Sequence, residues 1–367
     1  MNKKTIAFIV TEDCQLRCKY CYLVAKNSNR KMSFPIAKKA FDYILLQKEK
    51  IDGNPIIFDF IGGEPFMSID LLNDLCTYIE NRIKEVDVWN DCYKFRISTN
   101  GINYNSVKVQ EFIRSHKSHL EISISIDGTK IKNDTNRIFA NGQGSYDSII
   151  DNVKLWISQF ENSFTRMVVS HDDLPYVFES VKHLINLGIK TIDINYIIED
   201  VWKYNDGNIF ENQLIMLADY IIESGLSDTI KISLFKNDLG KPVKDELEEN
   251  PCGKSMLAID CNGDFYTCMR FAKYSLRSKM PRRIGNINDG IDWNKLRPYI
   301  AIDPVSYYSP ACLQCEIASG CRTCQAENYD SSITGTIFQR SSAACQMHKA
   351  SVKAYNYYNN KLKHGRN

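Results

Sequence analysis

The chain reads as an α/β protein followed by a smaller cysteine-rich part, and three observations lead there. From Lys4 to about Phe235, short β-branched runs alternate with amphipathic stretches, the pattern of βα units around a parallel sheet. From 236 to 251 the composition turns polar, with Gly240, Pro242 and the acidic run Asp245-Glu-Leu-Glu-Glu, which reads as a linker. Beyond it lie eight of the 13 cysteines, between positions 252 and 345. Six or so repeats suit an open sheet or a barrel equally, and periodicity alone leaves both open.

In chain order, strands are expected at 5–10, 55–61, 94–98, 120–126, 165–170, 191–197 and 230–234. Helices are expected at 35–47, 68–85, 106–115, 146–160, 174–187 and 212–224, with Leu187-Gly188 as a glycine-closed helix end. The Tyr- and Lys-rich tail 350–362 reads as an amphipathic closing helix, with His348 and His364 as surface residues near it. The limits that follow are 1–235 for the βα part, 236–251 for the linker, 252–349 for the cysteine-rich domain and 350–367 for the last helix and tail.

Composition narrows the function classes. A net charge of +2 gives no electrostatic case for nucleic acid or membrane partners. Met1-Asn-Lys-Lys leads into a short strand broken by Thr11-Glu-Asp, so no signal peptide is expected, and no apolar run reaches membrane-spanning length. A cytoplasmic protein is the expectation, and cysteines in that compartment point to metal rather than disulfides.

The sharpest motif is Cys14-Gln-Leu-Arg-Cys18-Lys-Tyr-Cys21, directly after the first strand. Three thiols at this spacing can turn into one small volume and bind a soft metal. Tetrahedral zinc usually takes four ligands from two pairs, and no fourth Cys or His follows within the next thirty residues. A cubane iron–sulfur cluster takes four thiolates, so three would leave one iron for a ligand from outside the protein. Further strand ends carry small polar residues. Ile61-Gly62-Gly63-Glu64-Pro65 follows the second strand, where glycines admit close approach, Glu64 can accept from an ammonium and Pro65 stiffens the turn. Ser98-Thr-Asn-Gly101 and Ser123-Ile-Ser-Ile-Asp-Gly128 end the next two strands and suit a polar nucleoside pocket or plain βα turns.

CxxxCxxC with Tyr20 before its last Cys resembles the signature of the radical S-adenosylmethionine enzymes. The resemblance implies a partial (β/α)6 TIM-like barrel. It also implies a [4Fe-4S] cluster on Cys14, Cys18 and Cys21, whose free iron is chelated by the cofactor's methionine. Reductive cleavage of S-adenosylmethionine to a 5′-deoxyadenosyl radical, which takes a hydrogen atom from substrate, comes with it. Gly62, Gly63 and Glu64 match the family's GGEP element, which binds the methionyl ammonium. Ser125 and Asn100 fall where the family lines the ribose and methionyl pocket, and Arg166 where many relatives keep an arginine for the carboxylate. Asp127-Gly128 with Asn133-Asp134-Thr-Asn-Arg137 resembles the "DG…hD..R" stretch, with Asn133 where His is commoner; its role stays open.

In the last third, Cys252, Gly263 inside the hairpin signal Asn262-Gly263-Asp264, Cys268, Cys312-Leu-Gln-Cys315, Cys321-Arg-Thr-Cys324 and Cys345 resemble the SPASM extension of peptide maturases. Two CxxC pairs could also make a zinc ribbon, so a zinc-binding module on an inactive barrel is the non-enzyme alternative. The resemblance implies two auxiliary [4Fe-4S] clusters: an outer one on Cys312, Cys315, Cys321 and Cys345, and an inner one on Cys252, Cys268 and Cys324. The fourth inner ligand is either Cys261 or absent. Cys321 and Cys324 stand two residues apart where three are commoner. Cys76, in register with Leu72 and Ile79, reads as core.

The function implied is a radical maturase that installs a thioether or carbon-centred crosslink in a ribosomally made precursor peptide. An auxiliary cluster would take the surplus electron. Peptide epimerisation, with Cys261 or Cys92 as hydrogen donor, is one alternative. Anaerobic sulfatase maturation to formylglycine is another, disfavoured because relatives with that activity carry Asp after the cysteine equivalent to Cys268, where this chain has Met269. A flavodoxin- or ferredoxin-type reductant is implied. The leader-binding domain of many maturases is expected to be absent, its task falling to a separate protein or to the barrel.

Overall fold

A computed structural model describes residues 3–24, 29–47, 55–235, 239–242, 252–302 and 308–365. The chain forms two compact units, residues 1–17, 21–122 and 249–303 in the first, and 18–20, 123–248 and 304–367 in the second.

The first unit is built on β1 (Lys4–Thr11), β2 (Ile56–Gly62), β3 (Tyr93–Thr99) and the start of β4 (Leu120–Ile124). β1 and β2 are nearly continuous buried runs rich in Ile and Phe, the pattern of a parallel strand covered on both faces, whereas β3 alternates buried Tyr93, Phe95 and Ile97 with half-buried Lys94, Arg96 and Ser98. β1 pairs with β2, and β2 with β3, in parallel. Phe8, Phe60, Phe58 and Phe95 stack through the sheet at centroid distances of 5.9 to 6.1 Å. Truncating one such ring to Ala costs about 3–5 kcal/mol. Helices α1 (Phe34–Leu46), α2 (Ile69–Val86) and α3 (Val107–His116) cover the sheet, and Cys76 of α2 is fully buried, as core.

The expected boundary at 236–251 does not coincide with these units. β8 (Met256–Ile259) pairs in parallel with β1, so the first residues after the linker extend the first sheet. β9 (Asp264–Tyr266) turns back antiparallel through Gly263 at φ +80°, the left-handed conformation the Asn-Gly signal required. β10 (Gly285–Asn286) and β11 (Gly290–Ile291) complete the sheet in the order β11-β10-β9-β8-β1-β2-β3-β4. Most of the linker lies outside the described residues.

The second unit holds the parallel strands β5 (Phe164–Val169), β6 (Thr191–Tyr196) and β7 (Lys231–Ile232), with α4 (Lys130–Asn136), α5 (Tyr146–Gln159), α6 (Val177–Asn186) and α7 (Asp206–Glu223). The sequence missed α4, whose residues are polar, and started α7 six residues late. Thr129 caps α4 by accepting from Lys132 N. Asp206 is buried and accepts from Lys203 N and His171, which fixes the start of α7. After α8 (Trp293–Ala301) in the first unit, the second unit adds α9 (Pro310–Leu313), α10 (Gln325–Ser331) and α11 (Cys345–Gly365). α11 is the expected closing helix, and it packs along α7 through Lys353–Glu211 and Lys361–Asp219.

Candidate functional site

In the first unit, the end of β2 lies against the segment that enters the cysteine motif. Gly63 N donates to Thr11 O and Glu64 N to Asp13 O, continuing the β1–β2 pairing to the residue before Cys14. A Cβ on Gly62 would stand 2.1 Å from Thr11 O, and one on Gly63 1.9 Å from Asp13 O. These glycines therefore let two stretches of the chain's own backbone meet. Cys14 is buried, and its Sγ accepts from Leu16 N at 3.4 Å and Asn100 Nδ2 at 3.7 Å.

Glu64 is 1% exposed. Its carboxylate accepts from Thr99 Oγ1 at 2.7 Å, Asn100 N at 2.7 Å and Phe66 N at 3.1 Å. Among the described residues no Lys, Arg or His forms an ion pair with it. Burial pushes its pKa up to about 7, and the three hydrogen bonds offset only part of that. A carboxylate so dry and without a counter-ion fits an incoming ammonium or amino group, so the donor set here fits the methionyl end of S-adenosylmethionine. Asn100, held by Gln15 and Ile102 N, stands beside both Glu64 and Cys14.

In the second unit, Asp127 gathers four hydrogen bonds beyond the end of β4. It takes Arg137 Nε at 2.9 Å and Nη2 at 3.0 Å, Val168 N at 2.9 Å and the Tyr20 hydroxyl. Burial alone would raise its pKa, but Arg137 and Lys132 hold it below the usual carboxylate value. Lys132 is itself fully buried, bonded to Val168 O and Asp173. Ser125 lies one residue past β4, half-buried. Arg166, by contrast, is exposed in the first half of β5 and paired with Asp193 at 3.3 Å, away from the strand's C-terminal end.

The later cysteines fall into two groups. In the first unit, a hydrogen bond from Cys252 lowers the pKa of Cys268, against burial and with help from Arg270. Cys261 is buried, and its thiol donates to Ile9 O at 3.3 Å. Burial and the nearby Glu12 push it up to about 12, so it is held protonated. Cys92 is exposed on the turn that enters β3, at the end opposite Thr99 and Asn100, so it has no access to chemistry there.

In the second unit, Cys312, Cys321, Cys324 and Cys345 line one small cavity with Arg322 and Arg340. Burial raises Cys321 to about 11, and its thiol feels Cys345, Cys312 and Cys315. Beside Cys324, Thr323 Oγ1 and both amide atoms of Gln325 are buried without hydrogen-bond partners. Soft donors with spare polar groups around them fit a sulfur-ligated cluster. Among the described residues no three His, Cys, Asp or Glu side chains are drawn together to metal-binding distance. His348, expected on the surface, is buried, because α11 begins at Cys345 and turns it inward, where Nε2 bonds Ile317 O.

Sequence reasoning missed Thr99 as a Glu64 donor, Lys132, and the partnership of Tyr20 with Asp127. Only the acid–arginine pair had a sequence signal, in the stretch from Asp127 to Arg137.

Against known proteins, residues 8–184 match the family model of the radical SAM superfamily. An uncharacterised protein of Methanocaldococcus jannaschii is 32% identical over 288 residues, 78% of this chain and 89% of that protein. Among solved structures, anSMEcpe with bound AdoMet and Kp18Cys peptide is similar at TM-score 0.71 and 17% identity, over 98% of this chain and 99% of that one. Streptococcus suis SuiB bound to precursor peptide SuiA is similar at TM-score 0.61 and 15% identity, over 93% of this chain and 75% of that one. The family binds a [4Fe-4S] cluster and S-adenosylmethionine, and this chain, with its three-cysteine motif after β1 and its mixed α/β fold of parallel strands, belongs to the radical SAM superfamily.

Proposed function

We propose that the protein modifies a ribosomally made precursor peptide, installing a thioether or carbon-centred crosslink after hydrogen abstraction. The observation that carries the cofactor assignment is the buried Glu64 carboxylate beside Cys14, hydrogen-bonded on both oxygens yet, among the described residues, without a cation. Cys14, Cys18 and Cys21 would hold the cluster, Gly62, Gly63, Glu64 and Asn100 the methionyl end of the cofactor, and Ser125 its ribose. When bound, these groups supply the reductive cleavage and the 5′-deoxyadenosyl radical, while the protein binds, orients and excludes water.

A peptide substrate draws support from the similar folds of SuiB, bound to precursor peptide SuiA, and anSMEcpe, bound to Kp18Cys peptide. Crosslinking is favoured over formylglycine formation because Met269 and Arg270 follow Cys268, and the charge acting on that sulfur is a cation, with no carboxylate in the place of a base. The outer auxiliary cluster would use Cys312, Cys315, Cys321 and Cys345, and the inner one Cys252, Cys268 and Cys324. A leader-binding protein and a flavodoxin- or ferredoxin-type reductant would complete the system.

Anaerobic reconstitution tests the reading. About twelve irons per chain, with sulfide to match, is the expected outcome for three cubane clusters. Zinc without iron would sink it. S-adenosylmethionine with a strong reductant should yield 5′-deoxyadenosine, and Cys18→Ala should abolish the yield.

Epimerisation is the second reading, favoured by the protonated, buried Cys261 thiol. Solvent deuterium at a peptide α-carbon, lost in Cys261→Ala, would select it, and a crosslinked product two hydrogens lighter would select the first.

A further inference from the structure

The pair Asp127–Arg137 plays no part in the reading above, yet it is the most heavily bonded buried charge described in the chain. Arg137 lies bidentate on Asp127, and its guanidinium stands 5.4 Å from the centroid of the Tyr20 ring. The Tyr20 hydroxyl donates to the same carboxylate. One residue earlier, Lys19 N donates to Asn136 O at 3.0 Å, so residues 18–20 are tied by both backbone and side chain to α4 and the turn after β4. On its other side, Asp127 fixes the turn that begins at Ser125, and its backbone N–H donates to Asn133 Oδ1 at 3.3 Å. Gly128 then passes Ser180 where a Cβ would come within 2.1 Å, so this turn has little room to shift.

We infer that Asp127 and Arg137 are positioning residues which, through the Tyr20 hydroxyl, set the place of the Cys18–Tyr20 stretch. A buried bidentate pair suits this task, because a pair desolvated on both sides holds one geometry, whereas a lone hydrogen bond leaves the loop free to swing. The inference rests on the reading that Cys18 is a cluster ligand.

The test uses the full chain, with Tyr20→Phe as the mild variant and Asp127→Asn/Arg137→Gln as the charge-free one. Hydrogen exchange of residues 18–20 is followed in apo and reconstituted protein, and the share of the reduced-cluster EPR signal that responds to S-adenosylmethionine is measured. Tyr20→Phe should melt near the wild-type temperature but exchange about tenfold faster at residues 18–20. The double variant should exchange at least as fast there and lose about half or more of the S-adenosylmethionine-responsive signal, and Arg137→Lys, which keeps a cation on Asp127, should fall between it and the wild type. Unchanged exchange in Tyr20→Phe together with an unchanged responsive share in the double variant would overturn the inference. If the double variant does not fold, Tyr20→Phe decides by exchange in apo protein. A wild-type protein without any S-adenosylmethionine-responsive signal would instead refute the cluster assignment itself.

Discussion

Two carboxylates, each beyond the C-terminal end of a parallel strand, are equally buried and opposite in character. Glu64 follows β2, accepts three hydrogen bonds from neutral donors and has its pKa raised to about 7. Asp127 follows β4, adds an arginine to its neutral donors and has its pKa lowered. Burial acts on both in the same direction, so the counter-ion decides the sign. Asp127 is complete as it stands. Glu64 is electrostatically incomplete, which is the state expected of a group that receives its cation from a ligand.

Removing each carboxylate tests that contrast most directly. Asp127→Ala leaves Arg137 buried without its partner and the Val168 amide without an acceptor, so the loss should reach about 3–5 kcal/mol by urea denaturation. Glu64→Gln keeps an acceptor for part of its donors and removes no ion pair, so it should cost no more than about 1–2 kcal/mol. It should weaken S-adenosylmethionine binding instead, by about tenfold or more, read by equilibrium dialysis. Equal stability losses in the two variants would erase the distinction.

The pH dependence sharpens it. Glu64 is raised in the folded protein from 4.5 to about 7, so between those values the unfolded chain has lost a proton that the folded one keeps. Its contribution is therefore fully present below about pH 4.5 and is lost as pH rises through 7, a change of about 3 kcal/mol. Asp127 works the other way. Its contribution is present above its ordinary value of 3.8 and lost as pH falls through the lower folded value, so it stays constant between pH 5 and 8. Urea midpoints in apo protein should thus fall from pH 5 to 8 in the wild type and stay flatter in Glu64→Gln. Binding of S-adenosylmethionine should strengthen over the same range, because its amino end needs the ionised carboxylate.

What could be read from the sequence follows the same division between local and distant causes. The strands and most helices were readable, since runs such as Ile56–Gly62 declare buried parallel strands without reference to anything else. Glu64 was readable as an acid at a glycine-flanked strand end from Gly62 and Gly63 beside it, although those glycines answer to Thr11 and Asp13. The helix α4 was not, because a segment of Lys, Asn, Asp and Thr folds there only once Lys132 finds Asp173 and Arg137 finds Asp127. His348 was misplaced for a similar reason, since α11 starts five residues ahead of the pattern that announced it. The boundary expected at the linker looked for a change in composition, whereas β8 joins β1 by backbone pairing, which composition does not report.

The smallest effect belongs to a third carboxylate, which separates charge pairing from burial. Asp219 on α7 accepts from Lys361 at 2.6 Å and Tyr357 at 2.8 Å, so it has a cation and a phenol, as Asp127 does, but in solvent. Water screens that attraction, and holding a long lysine side chain in one rotamer costs entropy, so exposed pairs contribute about 0–1 kcal/mol. Asp219→Ala should therefore cost less than about 1 kcal/mol at low salt, and raising the salt to 1 M should shrink the difference further, because the screening length falls to about 3 Å. Asp127→Ala should keep its full cost in the same salt series. A salt-sensitive loss at Asp127 as large as that at Asp219 would mean that water reaches the Arg137 pair, and that Tyr20 is not held by a dry contact.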